Sequence, residues 1–145
     1  MLGGTMGERR RSYVQLFYHF IWSTKNREPV INEEIKALLR ESFGLKAEEL
    51  KLRILECDGI EDHMHILLSS PATLAPSDIA KHLKGASSHH VNENISQMNF
   101  HWQDGYGVVS VSPKDILAVR GYIRNQKEHH GKGTLNERLE RDSAN

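Results

Sequence analysis

The run Glu61 to Ser70, EDHMHILLSS, does most to constrain the fold. His63 and His65 sit two residues apart in a segment that is otherwise mostly apolar. On a β-strand, residues i and i+2 point to one face. Met64, Ile66 and Leu68 then turn to the other side, and both imidazoles can reach one point in space. So apolar a strand belongs beside a packed sheet rather than on a free edge. Pro71 stops it. Upstream, Leu50 to Asp58 (LKLRILECD) alternates and reads as a partner strand, with Gly59 marking the turn of a hairpin.

The remaining elements fall around this pair. Tyr13 to Ser23 (YVQLFYHFIWS) is rich in aromatic and β-branched residues and reads as a first strand. Asn32 is an N-cap for a helix, with Glu33 and Glu34 in its first turn. Ile35, Leu38, Leu39 and Phe43 carry its period, and Gly44 is expected to end it. Pro76-Ser77-Asp78 opens a second helix running to about His90, with Ile79, Leu83 and Ala86 as its apolar face. Residues 92–106 are polar and predict a long loop, followed by a short strand, Gly107 to Val111. Ser112-Pro113 reads as N-cap and first helical position of a third helix, to about His129. The order is β-α-β-β-α-β plus a helix. That predicts an α+β, ferredoxin-like antiparallel sheet with an added C-terminal helix. One domain over residues 13–132 is expected, with flexible tails at 1–12 and 133–145.

Bulk properties narrow the setting. A chain of 145 residues can bury one proper core. Cys57 is the only cysteine, so no internal disulfide can form, and it reads as a reduced core residue. No apolar run approaches the roughly 20 residues that span a bilayer, and the N-terminus lacks a signal-peptide core. A cytoplasmic protein is expected. Net charge is zero, but acid is concentrated between residues 28 and 61. Another surface can therefore be locally positive, which permits a nucleic-acid partner without requiring one.

The histidine pair suits a divalent metal, and a metal suits phosphate chemistry. Two satisfied histidines on a strand are the plainer alternative. Two imidazoles cannot close a metal site, so a third ligand must come from elsewhere. Tyr122 and Gln126 share a face of the third helix at i and i+4, at the edge of a stripe made by Ile116, Val119 and Ile123. They are either amphipathic packing or a phenol nucleophile beside an amide ligand. Lys84-Gly85-Ala86-Ser87-Ser88 is a weak phosphate-contact candidate without a full P-loop pattern. Lys25 and Arg27, after the first strand, either meet a nucleic-acid backbone or solvate a loop. Adjacent pairs His89-His90 and His129-His130 diverge on a helix, so neither pair is expected to share a metal. Trp102 and Tyr106 either stack on bases or anchor the loop to the core, and anchoring is the safer reading.

These residues carry a resemblance. His63-Met64-His65 resembles the His-hydrophobe-His motif of the HUH nucleases. Tyr18 to Arg27, Lys84 to Ser88, Trp102 to Gly107 leading into Ser110 to Pro113, and Tyr122 to Gln126 followed by His129-His130 resemble the small single-tyrosine (TnpA-type) transposases of bacterial insertion sequences. The likeness spans roughly residues 13–132. It implies a metal-assisted DNA strand transferase acting on single-stranded DNA with hairpins at the element ends. By resemblance, His63, His65 and Gln126 bind Mg²⁺ or Mn²⁺. Tyr122 attacks a phosphodiester, forming a 5′-phosphotyrosine link and freeing a 3′-OH. Lys25, Arg27, Lys84, Ser87 and Arg124 are candidate DNA contacts. The resemblance also implies a homodimer, in which the tyrosine helix can complete the partner's histidine site and the edge strand Gly107 to Val111 is a candidate seam. Two other readings remain: a ferredoxin-like nucleic-acid-binding module without catalysis, and a metal-dependent nuclease using water.

Overall fold

A computed structural model describes residues 12–126, 130 and 135–142. The N-terminal tail to residue 11, the expected helix end at 127–129, including His129, and residues 131–134 and 143–145 lie outside the described residues. Four strands form one antiparallel sheet: β1 (Leu16–Ser23), β2 (Arg53–Ile60), β3 (His63–Ser70) and β4 (Gly107–Ser110), in the order β2-β3-β1-β4. Helices α1 (Glu33–Leu50) and α2 (Pro76–Asn94) pack on each other. With the sheet they enclose a core of Phe20, Trp22, Leu39, Phe43, Met64, Ile66, Leu68, Ile79 and Leu83. α3 (Ile116–Arg124) lies on the opposite face. There Val119 and Ile123 meet Leu67 and Val111 in a second, smaller cluster. The alternation in β3 is what separates the two faces: Met64, Ile66 and Leu68 join the first core, and Leu67 joins the second.

Asn32 caps α1 as expected, its Oδ1 accepting from the Ile35 amide at 2.8 Å. Gly44, however, does not end the helix. α1 continues to Leu50 and closes at Lys51, which takes the left-handed conformation at φ 62°, while the Leu52 amide donates to the Ala47 carbonyl at 2.8 Å. Burial of Phe43 and Ala47 on either side outweighs a glycine's weak helix preference. The start of β2 consequently shifts from Leu50 to Arg53. An added Cβ at Gly44 meets nothing within 4 Å. Gly44→Ala is therefore expected to stabilise by about 0.5–1 kcal/mol and raise the melting temperature by about 2–4 °C. An unchanged or lower melting temperature would contradict this placement.

Gly59 is not the turn either. It lies within β2 opposite Met64, and the connection is Glu61-Asp62. A Cβ at Gly59 would come within 2.0 Å of the His63 carbonyl, so close approach of the strands requires glycine here. The Glu61 and Asp62 carbonyls accept from Ile31 and Thr24, which fixes the turn beside His63.

α2 runs past His90 to Asn94, and Ser87 rather than Ala86 completes its buried stripe. The loop that follows is tied down. Phe100 and Trp102 enter the core, the Trp102 indole donates to Ser87 Oγ at 2.9 Å, and the Asn92 amide pairs with the Phe100 backbone. Ser112 makes no side-chain cap; a 3-10 turn, Pro113–Asp115, leads into α3 instead. Cys57 packs at the margin of the first core, where burial pushes its thiol up to about 12.

The polar tail holds the largest departure from expectation. Residues 135–142 carry regular structure. They form a short helix, α4 (Glu137–Glu140), whose Leu139 is buried and which contacts β1 and β4. No helix among the described residues is long and apolar enough to cross a membrane.

Candidate active site

β3 places His63 and His65 side by side on the face that α3 covers, both fully buried, with ring centroids 5.0 Å apart. The Asp62 turn sets the first ring: His63 Nδ1 donates to Asp62 Oδ1 at 2.8 Å, leaving Nε2 directed inward. β1 sets the second. His19, on the same sheet face, lies 2.8 Å from His65 Nδ1 through its Nε2. Such outer partners fix ring orientation and tautomer, the usual support of a metal-binding imidazole.

α3 and the residues just after it supply the third and fourth groups. The Tyr122 ring stands edge-on to His65 at 6.2 Å. Gln126, one turn on and buried, brings its Oε1 to 3.3 Å from His63 Nε2. The residues expected to meet, His63, His65, Tyr122 and Gln126, thus come together within one chain.

Three more side chains complete the cluster. His130 Nε2 lies 3.2 Å from Gln126 Oε1. Glu140 of α4 places Oε1 3.3 Å from Nε2 of both His63 and His65, and Oε2 accepts from the Tyr122 hydroxyl at 2.5 Å. His19 stands behind His65. Ligand atoms of His63, His130 and Glu140 fall within 4.8 Å of one another, a spacing that can hold a metal. His130 was visible as half of an adjacent pair, and divergence within the pair does not stop one member from joining. Glu140 had no signal, because it sits in a short polar stretch without periodicity. His19 was hidden among the aromatics of β1.

Charge follows from these contacts. Burial pulls the His63 pKa down, but the Asp62 and Glu140 carboxylates outweigh it and hold the ring at about 9. Burial lowers His65 and brings His19 to about 3. Burial would raise the Glu140 carboxyl, yet His63 and His65 hold it well below the usual range. Burial, with Glu140 adding, pushes the Tyr122 phenol up to about 12. The His63 contribution to stability is full below its ordinary 6.5 and is lost as pH rises through about 9. His19 and His65 contribute above 6.5 and lose it as pH falls. In metal-free buffer the protein should therefore melt highest near pH 6.5, and a melting temperature that climbs steadily to pH 9 would contradict this arrangement.

The candidate DNA contacts fare unevenly. Ser87 is corrected: it is fully buried, and its hydroxyl is engaged by Trp102. Lys84 turns to the Gln103 and Gly105 carbonyls at 2.8 and 2.7 Å. Arg124 pairs with Glu56 at 3.0 Å. Arg27 bridges Asp62 and Asp142, the latter also bonded to Ser23. Lys25 is exposed in the 3-10 turn after β1.

The sequence profile of the family described as "Transposase IS200 like" matches residues 12–126. The chain belongs to the IS200-like transposase family. It is 30% identical over 128 residues to the ISDra2 transposase TnpA of Deinococcus radiodurans, covering 83% of this chain and 91% of that one. It is 29% identical over 122 residues to the transposase for insertion sequence element IS200 of Salmonella typhimurium, covering 80% of each. A solved structure described as a transposase from Deinococcus radiodurans R1 superposes with TM-score 0.65 at 27% identity, over 79% of this chain and 93% of that one. A tyrosine transposase solved with a hairpin gives TM-score 0.63, over 87% of this chain and 74% of that one. Its 19% identity makes that likeness one of fold alone. For an IS200-like transposase, the matched span includes the histidine pair, Tyr122 and Gln126, and leaves Glu140 and His130 outside it.

Proposed function

We propose that this chain cleaves and rejoins single-stranded DNA bearing hairpins at insertion-sequence ends, through a 5′-phosphotyrosine on Tyr122. The observation that carries the reading is the convergence of two buried imidazoles from β3, a phenol from α3 and an amide just beyond α3, within a chain of this family. His63, His65 and Gln126 would hold Mg²⁺ or Mn²⁺; their nitrogen and oxygen donors suit such ions. A bound ion would supply Lewis-acid polarisation of the scissile phosphate. Tyr122 supplies the nucleophile: its oxygen bonds to phosphorus, the bond to the 3′-oxygen breaks, and a 3′-OH departs. A second 3′-OH reverses the step, so the energy of the phosphodiester is conserved. Glu140 Oε2 accepts the hydrogen bond of the Tyr122 hydroxyl in the resting site, so the phenol proton points at this carboxylate.

The unit of this activity is the single domain over residues 13–132, with α4 docked on it. The element order and the sheet order support a ferredoxin-like body with an added tyrosine helix. A homodimer in the bacterial cytoplasm is part of the reading. Because Tyr122 faces His65 within one chain, cis catalysis is the simpler arrangement, and exchange of α3 between chains would rebuild the same site in trans. Arg138 donates to the Ser110 carbonyl, and the Arg141 carbonyl sits against Gly107. Pairing along β4 therefore requires the C-terminal segment to move.

The test is incubation with labelled hairpin single-stranded DNA and Mg²⁺. A covalent protein–DNA adduct that EDTA abolishes is expected. Cleavage without an adduct would favour a water-using nuclease, and binding without cleavage would favour a recognition module.

A further inference from the structure

The C-terminal segment brings a carboxylate into a cluster otherwise made of imidazoles and an amide. Glu140 Oε1 lies 3.3 Å from both His63 Nε2 and His65 Nε2, and 3.5 Å from His130 Nε2. Gln126 Oε1 lies 3.3 Å from His63 Nε2 and 3.2 Å from His130 Nε2. Donors about 2.1 Å from a common ion lie about 3.0 Å apart at octahedral angles and about 3.4 Å apart at tetrahedral ones. The observed separations fall close to that interval.

A second observation points the same way. His65 Nε2 is completely buried, aimed into the cluster, and has no hydrogen-bond partner, although Glu140 Oε1 is within ion-pair distance. A buried nitrogen left unpaired is costly unless something takes its lone pair. The other nitrogen of each ring is already engaged, His63 Nδ1 by Asp62 and His65 Nδ1 by His19, which frees both Nε2 atoms to face inward.

We propose that Glu140, carried by α4, is itself a ligand of the divalent ion, so that His63, His65 and Glu140 form a two-histidine, one-carboxylate set with Gln126 and His130 beside it. This deepens the metal reading above and rests on it. The carboxylate adds a hard, charged oxygen that the Gln126 amide lacks, which favours Mg²⁺ or Mn²⁺. It also links two equilibria. α4 is held by the buried Leu139, by Arg138 on Ser110, and by the Asn136 amide on the Tyr122 hydroxyl at 2.9 Å. An ion that binds the docked segment and not the undocked one must strengthen docking.

The experiment is a Mn²⁺ titration of the full chain followed by electron paramagnetic resonance, for the natural protein, Glu140→Gln, and a His63→Ala/His65→Ala double variant. Glu140→Gln is expected to weaken Mn²⁺ binding by about tenfold or more, and the double variant to abolish it. Equal affinity in the natural protein and Glu140→Gln would overturn the proposal and leave a histidine-based site standing. No binding by the natural protein, or full binding by the double variant, would instead overturn the underlying metal reading. Hydrogen exchange on the natural protein tests the same point if the glutamine variant folds poorly. Mn²⁺ should slow exchange in residues 135–142, and unchanged or faster exchange would overturn the proposal.

Discussion

Tyr122→Phe should form no covalent adduct with hairpin single-stranded DNA, and strand transfer should fall by about 10⁴-fold or more, as when a nucleophile is removed from an intact site. The substitution deletes one oxygen. The ring keeps its place against His65, because Val119 and Ile123 hold α3 on the sheet. The hydroxyl contacts to Glu140 and the Asn136 amide are lost, so α4 should loosen while the sheet stays folded. Mn²⁺ binding should persist through His63, His65 and Gln126, and should weaken, not vanish, as looser α4 docking withdraws Glu140. A variant that still forms the adduct would place the nucleophile elsewhere. One that has lost metal binding as well would mean that Tyr122 supports the site rather than reacting in it.

His65→Ala should be damaging in two separable ways. The ring is fully buried between His19, His63 and Tyr122. Its removal leaves a cavity and strips His19 Nε2 of its partner. Together these should cost about 2–4 kcal/mol of stability. Metal affinity should fall by about 100-fold or more, because in the proposed site a directly coordinating nitrogen is lost rather than an outer partner. Melting curves and a Mn²⁺ titration, run side by side, separate the two. Normal metal affinity in a destabilised protein would reduce His65 to a packing residue.

The sheet face of each residue in β3 was legible because strand alternation is strict: one histidine pair and one set of Met64, Ile66 and Leu68 leave only one sensible orientation. The join between β3 and α3 was legible because Tyr122 and Gln126 share a helix face at the border of an apolar stripe. Element ends were less so. Gly44 and Gly59 look alike in a sequence, yet one sits inside a helix and the other inside a strand, because packing around them decides. Glu140 was not legible at all. Its position depends on the burial of Leu139 where α4 meets β1 and β4, a tertiary contact with no local pattern. Ser87 misled for the opposite reason: a Ser beside Lys-Gly suggests phosphate binding, but the residue falls on the buried stripe of α2 and serves Trp102.

Attack of Tyr122 on a DNA phosphodiester, beside a metal held by His63 and His65, would leave a covalent mark on the protein. Peptide mass spectrometry of the protein after reaction with hairpin single-stranded DNA and Mg²⁺ tests it most directly. Nucleotide mass is expected on the peptide containing Tyr122, joined through the DNA 5′-phosphate. Cleaved DNA with no nucleotide on the protein, or nucleotide mass on any other residue, would contradict it.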